Sequence, residues 1–117
     1  MAEKFKAINL NFILTKRIYS CKMRSEWDAG KRRRNFEKHG IDFLDAQKIF
    51  SYPMLTRHDG REDYGEERWI GIGLMEWLVV VVVFTEPKEG ATRIISARKA
   101  KKHEKESYQN WLKDRLG

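Results

Sequence analysis

The chain has 117 residues, 41% of them hydrophobic, with 24 Lys and Arg against 17 Asp and Glu for a formal net charge of +7. That length suits one domain and leaves no room for two ordinary ones. The charge surplus favours polyanionic partners such as RNA, DNA or an acidic protein. The single cysteine, Cys21, excludes an internal disulfide and a thiol-rich metal site, as expected of a protein from a reducing cytoplasm.

Residues 1–22 show neither helical period nor strand alternation and read as an N-terminal extension, with Met23 an alternative start to a domain over 23–117. No secretory signal is expected, because the apolar patch 8–14 lacks a small-residue cleavage site. Asp28 is a good N-cap for a helix through 31–38 that stops near Gly40. Its four successive cations, Lys31 to Arg34, spread around the helix and read as a solvated face. Asp42 caps a second helix, with Phe43, Ala46, Ile49 and Phe50 at helical spacing and Pro53 as its end. Strands are expected over 54–57, 67–73, 77–85 and 92–98, with turns near 74–76 and 87–90. Arg68, Ile70 and Ile72 share one face of their strand. The run 77–85, WLVVVVVFT, is apolar on both faces and belongs in the middle of a covered sheet, or under a partner. It is far too short to cross a bilayer, which takes roughly 20 residues. A last helix over 99–116 carries Tyr108, Trp111, Leu112 and Leu116 as its apolar stripe. The order is two helices, three to four antiparallel strands and a C-terminal helix, an α+β fold.

The chemistry-bearing residues crowd the junction between the last strand and the last helix, RIISARKAKKHEKESY. No glycine-rich phosphate loop, hydrolase serine motif or metal-ligand spacing is present, so no metal and no cofactor is expected. Metal-free RNA cleavage needs a group to deprotonate the ribose 2′-OH, fixed cations for the pentacoordinate phosphate, and an acid for the leaving oxygen. Arg93 and Arg98, with Arg68 as a third cation, suit the phosphate. His39 or Glu67 would move protons. Lys99, Lys101, Lys102 and Lys105 would track the RNA backbone. Each residue also has a plainer reading. Arg93 would pair with Glu67 or Glu86, Arg98 with a carboxylate such as Glu104, and His39 would bond the last carbonyls of its helix. His58 and His103 read as surface, and Tyr108 and Trp111 as core.

EWDAGKRRRNFEKHGIDFLDAQKIF, GEERWIGIG, VVVFTE and RIISARKAKKHEKESY, in that order over about 26–108, resemble the BrnT family of bacterial toxins. KHGIDF and RIISARKA are the distinctive elements. The positions matching recurrent polar residues of the family are His39, Glu67, Arg68, Arg93, Ser96, Arg98, Glu104 and Tyr108. Lys101 departs from a common Ser or Thr, which shifts the expected helix start. The resemblance implies a RelE-like fold and a type II toxin–antitoxin role, with RNA cleavage that arrests translation and growth. It also implies a BrnA-like antitoxin, a small DNA-binding protein, so that operator DNA is met only through the complex. An antitoxin segment that folds on binding could use the apolar strand 77–84 as docking ground, unless that strand is ordinary core. The alternative function is a non-catalytic co-repressor subunit bound to a DNA-binding antitoxin.

Overall fold

Two aspartates set the helical layer. The computed structural model describes residues 6–7, 24–61 and 65–116, so most of the N-terminal extension lies outside the described residues. The Asp28 carboxylate accepts the Lys31 N–H at 2.9 Å and opens α1 (Ala29–His39). Gly40, at φ +73°, closes it by donating its N–H to the Phe36 carbonyl. Asp42 opens α2 (Phe43–Ala46) by accepting the Leu44 N–H, and it also takes the Arg32 fork at 2.7 and 2.9 Å. One of the four clustered cations is therefore committed to holding α2 against α1, not to solvent. The second helix is shorter than its apolar spacing suggests. After one turn it tightens into a 3₁₀ segment, Gln47–Ser51, which sets Ile49 down on the sheet beside Gly73.

The strands are β1 (Lys6–Ala7), β2 (Arg24–Glu26), β3 (Leu55–His58), β4 (Trp69–Met75), β5 (Leu78–Lys88) and β6 (Ala91–Lys99), arranged in the order β1-β3-β4-β5-β6-β2. All neighbours are antiparallel except β2, which runs parallel to β6. The expected sheet of three to four antiparallel strands is thus too small and of the wrong kind at one edge. Both additional strands are only two or three residues long, which is too short to show an apolar period.

Past the short β2, the outer edge of β6 is closed by a side chain. The buried Asn35 amide donates to the Ala97 carbonyl at 2.8 Å and accepts the Ala97 N–H at 3.1 Å, a two-bond imitation of a neighbouring strand. That satisfies an edge which would otherwise be open to another chain.

As its composition requires, β5 is covered on both faces. Val80, Val82 and Phe84 pack with Phe43, Ile49 and Ile94 under α1 and α2. Val79 and Val81 pack with Ile70, Ile72 and Tyr108 under α3 (Lys102–Leu116). The 77–84 run is therefore core, and the docking role for it falls away. Trp77 alone departs from this pattern. β4 and β5 pair as far as Met75 and Leu78, so Glu76 and Trp77 form a two-residue turn. Glu76 has φ +60°, a region hairpin turns normally give to Gly or Asn, and this costs roughly 1–2 kcal/mol. Trp77, expected inside the strand, is 92% exposed on the turn.

Gly73 is required by the 3₁₀ segment above it. A Cβ there would stand 2.8 Å from the Ile49 Cβ, whereas at Gly71 the nearest atom, 3.2 Å away, is the far edge of the Phe84 ring. Gly73→Ala is expected to cost about 1–3 kcal/mol in urea unfolding, and Gly71→Ala less. Equal stability of the two variants would mean that the 3₁₀ segment yields freely.

Candidate active site

Strand register collects the arginines. Leu55, Ile72, Val81 and Arg98 form one row across β3, β4, β5 and β6, and Arg57, Ile70, Val83 and Ser96 form the next. Beyond these, Thr85 stands opposite Arg93, which stands opposite Glu26, and the Asp59 N–H bonds the Arg68 carbonyl. Alternation places Arg57, Arg68 and Arg98 on the face that α3 covers, and a register shift between the Val83–Ser96 and Phe84–Ile94 pairs brings Arg93, which strict alternation would put on the other side of β6, to the same face. α3 covers only part of that face. It starts beside β5, where the Ala100 N–H bonds the Val79 carbonyl, and by Tyr108 it has reached the start of β3, where the phenol donates to the Pro53 carbonyl at 2.9 Å. Burial raises the pKa of that phenol. Ile70, from the row of Arg57 and Ser96, still packs in the Tyr108 cluster, whereas Arg93, farther along, keeps 43% of its side chain exposed.

The arginines are held by acids. Glu66 spans two of them, with one oxygen 3.2 Å from the Arg68 Nε and the other 3.8 Å from a terminal nitrogen of Arg93. Arg93 also donates its Nε–H to Glu26 at 3.2 Å, and it lines a shallow groove with Glu26, Trp27, Asp28 and Lys31. The expected Arg93 partners, Glu67 and Glu86, are thus replaced by Glu66 and Glu26. Close by, the fully buried Asp59 carboxylate receives the Arg61 fork at 2.7 and 2.8 Å. The Arg61 bonds, with smaller help from the Arg57 charge and against the cost of burial, hold Asp59 below the usual carboxylate range. Arg61 is also near enough to Arg98 for its charge to oppose protonation there.

Arg98 is the most firmly committed of the four. Its two terminal nitrogens meet the two oxygens of buried Glu104 at 2.8 and 2.9 Å. Glu104 also accepts the Lys101 N–H at 2.8 Å. This is the carboxylate half of a capping box, made without the hydroxyl half because Lys101 stands at the N-cap. It explains why α3 begins at Lys102 and not at 99. Burial pushes the Glu104 carboxyl up, but the Arg98 bonds, the Lys101 N–H and the charges of Arg98 and His103 together bring it below its ordinary value. Its bonds to Glu104 raise the Arg98 guanidinium further.

The other expected site residues sit elsewhere. His39 ends α1, on the layer that packs the opposite face of β6 through Asn35. Glu67 meets the His58 Nε2 at 2.9 Å, and His58 stacks edge-on against Trp69, whose ring belongs to that opposite core. Neither residue is brought to the arginines. Lys99, Lys101, Lys102 and Lys105 are exposed around the start of α3. Arg57, Arg61 and Glu66 were not singled out from the sequence. Strand alternation carried forward from Arg68 does point to Glu66, two residues earlier, whereas Arg61 is found only through its fold-dependent bond to Asp59. Among the described residues, no three His, Cys, Asp or Glu side chains come together in a way that could hold a metal ion.

Residues 27–104, from the groove tryptophan to the capping glutamate, match the family model described as ribonuclease toxin, BrnT, of type II toxin–antitoxin systems. The chain belongs to the BrnT toxin family. Among solved structures, it is similar to the 1.1 Å crystal structure of the Brucella abortus ribonuclease toxin BrnT. That match has 28% identity and a TM-score of 0.52, and covers 68% of this chain and 99% of the other. No curated protein sequence matches. The BrnT segment thus contains the whole arginine face and the Glu104 cap. No helix among the described residues is long and apolar enough to cross a membrane.

Glu104→Gln should cost this BrnT chain about 2 kcal/mol at pH 7, less than a fully buried pair because Arg98 is one-third exposed. The folded-state pKa of Glu104 is lowered, so its contribution is complete above the unfolded value and fades as pH falls through the folded one. The stability gap between wild type and variant, read by urea unfolding, should therefore narrow below about pH 4. A gap that stays constant into acid would show that the carboxylate charge is not what holds the junction.

Proposed function

We propose that this chain is an endoribonuclease toxin that cleaves RNA on the arginine face without a metal ion, and that a BrnA-like antitoxin neutralises it. The observation that carries the reading is the gathering of Arg57, Arg68, Arg93 and Arg98 on one partly uncovered sheet face, with Glu66 reaching both Arg68 and Arg93. Arg93 spends its Nε–H on Glu26, and the long 3.8 Å approach of a terminal nitrogen to Glu66 is one that a phosphodiester oxygen would replace. Arg68 and Arg93 would hold the two non-bridging oxygens, whose charge grows as phosphorus becomes pentacoordinate. Glu66 takes the 2′-OH proton as the 2′-oxygen attacks phosphorus. The bond to the 5′-oxygen breaks, and that oxygen takes a proton from solvent. The products are a 2′,3′-cyclic phosphate and a 5′-hydroxyl. Arg98 serves chiefly as the anchor of α3, so Arg98→Ala is a test of stability before it is a test of catalysis. His39 and Glu67 have no place in this scheme.

The partner follows from family and charge. A +7 chain with an open basic face suits an acidic segment that folds as it binds and covers the arginines, and the DNA-binding antitoxin would bring the complex to its operator.

Arg68→Ala, Arg93→Ala and Glu66→Gln should each lower cleavage of single-stranded RNA by about 100-fold or more with little change in unfolding midpoint. Wild-type cleavage should survive EDTA and weaken as salt rises. Loss of activity in EDTA would overturn the metal-free scheme. No cleavage at any salt, together with tight binding of the antitoxin, would make the protein a co-repressor subunit instead.

A further inference from the structure

We propose that Trp77 is a stacking post for a base of the bound RNA strand, a second contact at the opposite end of the sheet from Arg93. The proposal rests on the ribonuclease reading above, and it names single-stranded RNA extending beyond the cleaved bond as the substrate class.

Trp77 is almost wholly exposed, yet its backbone is fixed. The hairpin is paired up to the residues flanking the turn. Glu76 holds a left-handed conformation unusual for its type and is tied by a 2.9 Å ion pair to Lys48 of the 3₁₀ segment, whose ammonium also lies 3.8 Å from Asp45. An indole held out on a rigid turn loses little freedom when it is covered.

Its surroundings favour a nucleotide over a protein surface. The neighbouring apolar side chains of the turn, Met75 and Leu78, are partly buried against the core beneath α2. Cations are close by instead. Lys99 stands opposite Val80, and the Ala100 N–H bonds the Val79 carbonyl, so Lys99, Lys101 and Lys102 emerge beside the same end of β5, all exposed. An exposed aromatic ring at the same end of the sheet as several exposed lysines is a combination that holds single-stranded nucleic acid, the ring taking a base and the ammonium groups the backbone.

The test uses a labelled single-stranded RNA with 2′-O-methyl sugars, which lacks the attacking hydroxyl and so reports binding without cleavage. Trp77→Ala should bind it about tenfold more weakly, and Trp77→Tyr should recover most of the loss. With cleavable substrates, Trp77→Ala should raise KM for a long strand at unchanged kcat and leave a dinucleotide unaffected. Unchanged oligonucleotide binding by Trp77→Ala would overturn the proposal. So would weakened antitoxin binding with intact RNA binding, which would make the indole a protein contact. Failure of the arginine face as a catalyst shows separately, as cleavage lost or absent in the wild type while the binding difference at Trp77 remains.

Discussion

The Glu104 carboxylate fixes the geometry on which the rest depends. It holds the guanidinium of Arg98, the eighth residue of β6, and the N–H that would otherwise be orphaned at the start of α3. One group thereby locks the end of the sheet to the beginning of the helix. The direction of α3 follows from that point, since the helix leaves beside β5 and reaches β3 at Tyr108. It packs on Ile70, Ile72, Val79 and Val81, while Arg93, farther along the sheet, keeps 43% of its side chain exposed. A helix started three residues earlier would have no carboxylate at the right place to close its first turn.

The arginines of the open rows are not bare charges. Arg68, Arg93 and Glu66 form a chain of ion pairs that ends at Glu26. Such pairs at a partly wet surface contribute on the order of 0–1 kcal/mol each. Pairs of that strength keep the forks in place and, on the proposed reading, would be exchanged for a phosphate, which offers more charge and a better geometric match. Arg98 differs because its partner is buried, and removing Arg98 would leave the Glu104 charge uncompensated and largely out of reach of water. Two arginines five residues apart on one strand thus do different work, and the distinction lies in the burial of their acids.

Much of this was legible in the sequence. Asp28, Gly40 and Asp42 mark the helix ends by capping chemistry alone, and the valine run marks a central strand by being apolar on both faces. The alternation of Arg68, Ile70 and Ile72 matches the face that α3 covers, but alternation along 92–98 sets Arg93 and Arg98 on opposite faces, and only the register shift in β6 brings them together. What stayed hidden depends on contacts between distant segments. β2 is recognisable only because Glu26 meets Arg93 across 67 positions, and Asn35 closes the β6 edge across 62. Trp77 was read as a strand residue because its type favours strands, but the two-residue turn needed a position with positive φ and took Glu76 in spite of its side chain. His39 and Glu67 suit proton transfer by residue type, and the pleat and the layer order set them apart from the arginines.

Two local departures from good folding practice coincide at that turn, a left-handed glutamate, held by its ion pair with Lys48, and a solvated indole. Turn strain is retained where the surrounding structure enforces it, and such sites cluster where something binds. β5 gives the scale. Arg93 stands opposite Thr85, and Trp77 immediately precedes Leu78, so at roughly 3.3 Å per residue the two lie about 25 Å apart along the strand. One phosphodiester cannot touch both. On the proposed reading only a run of nucleotides would meet both the arginine rows and the indole, with Lys102 and Lys105 exposed on α3 and Lys101 at its N-cap.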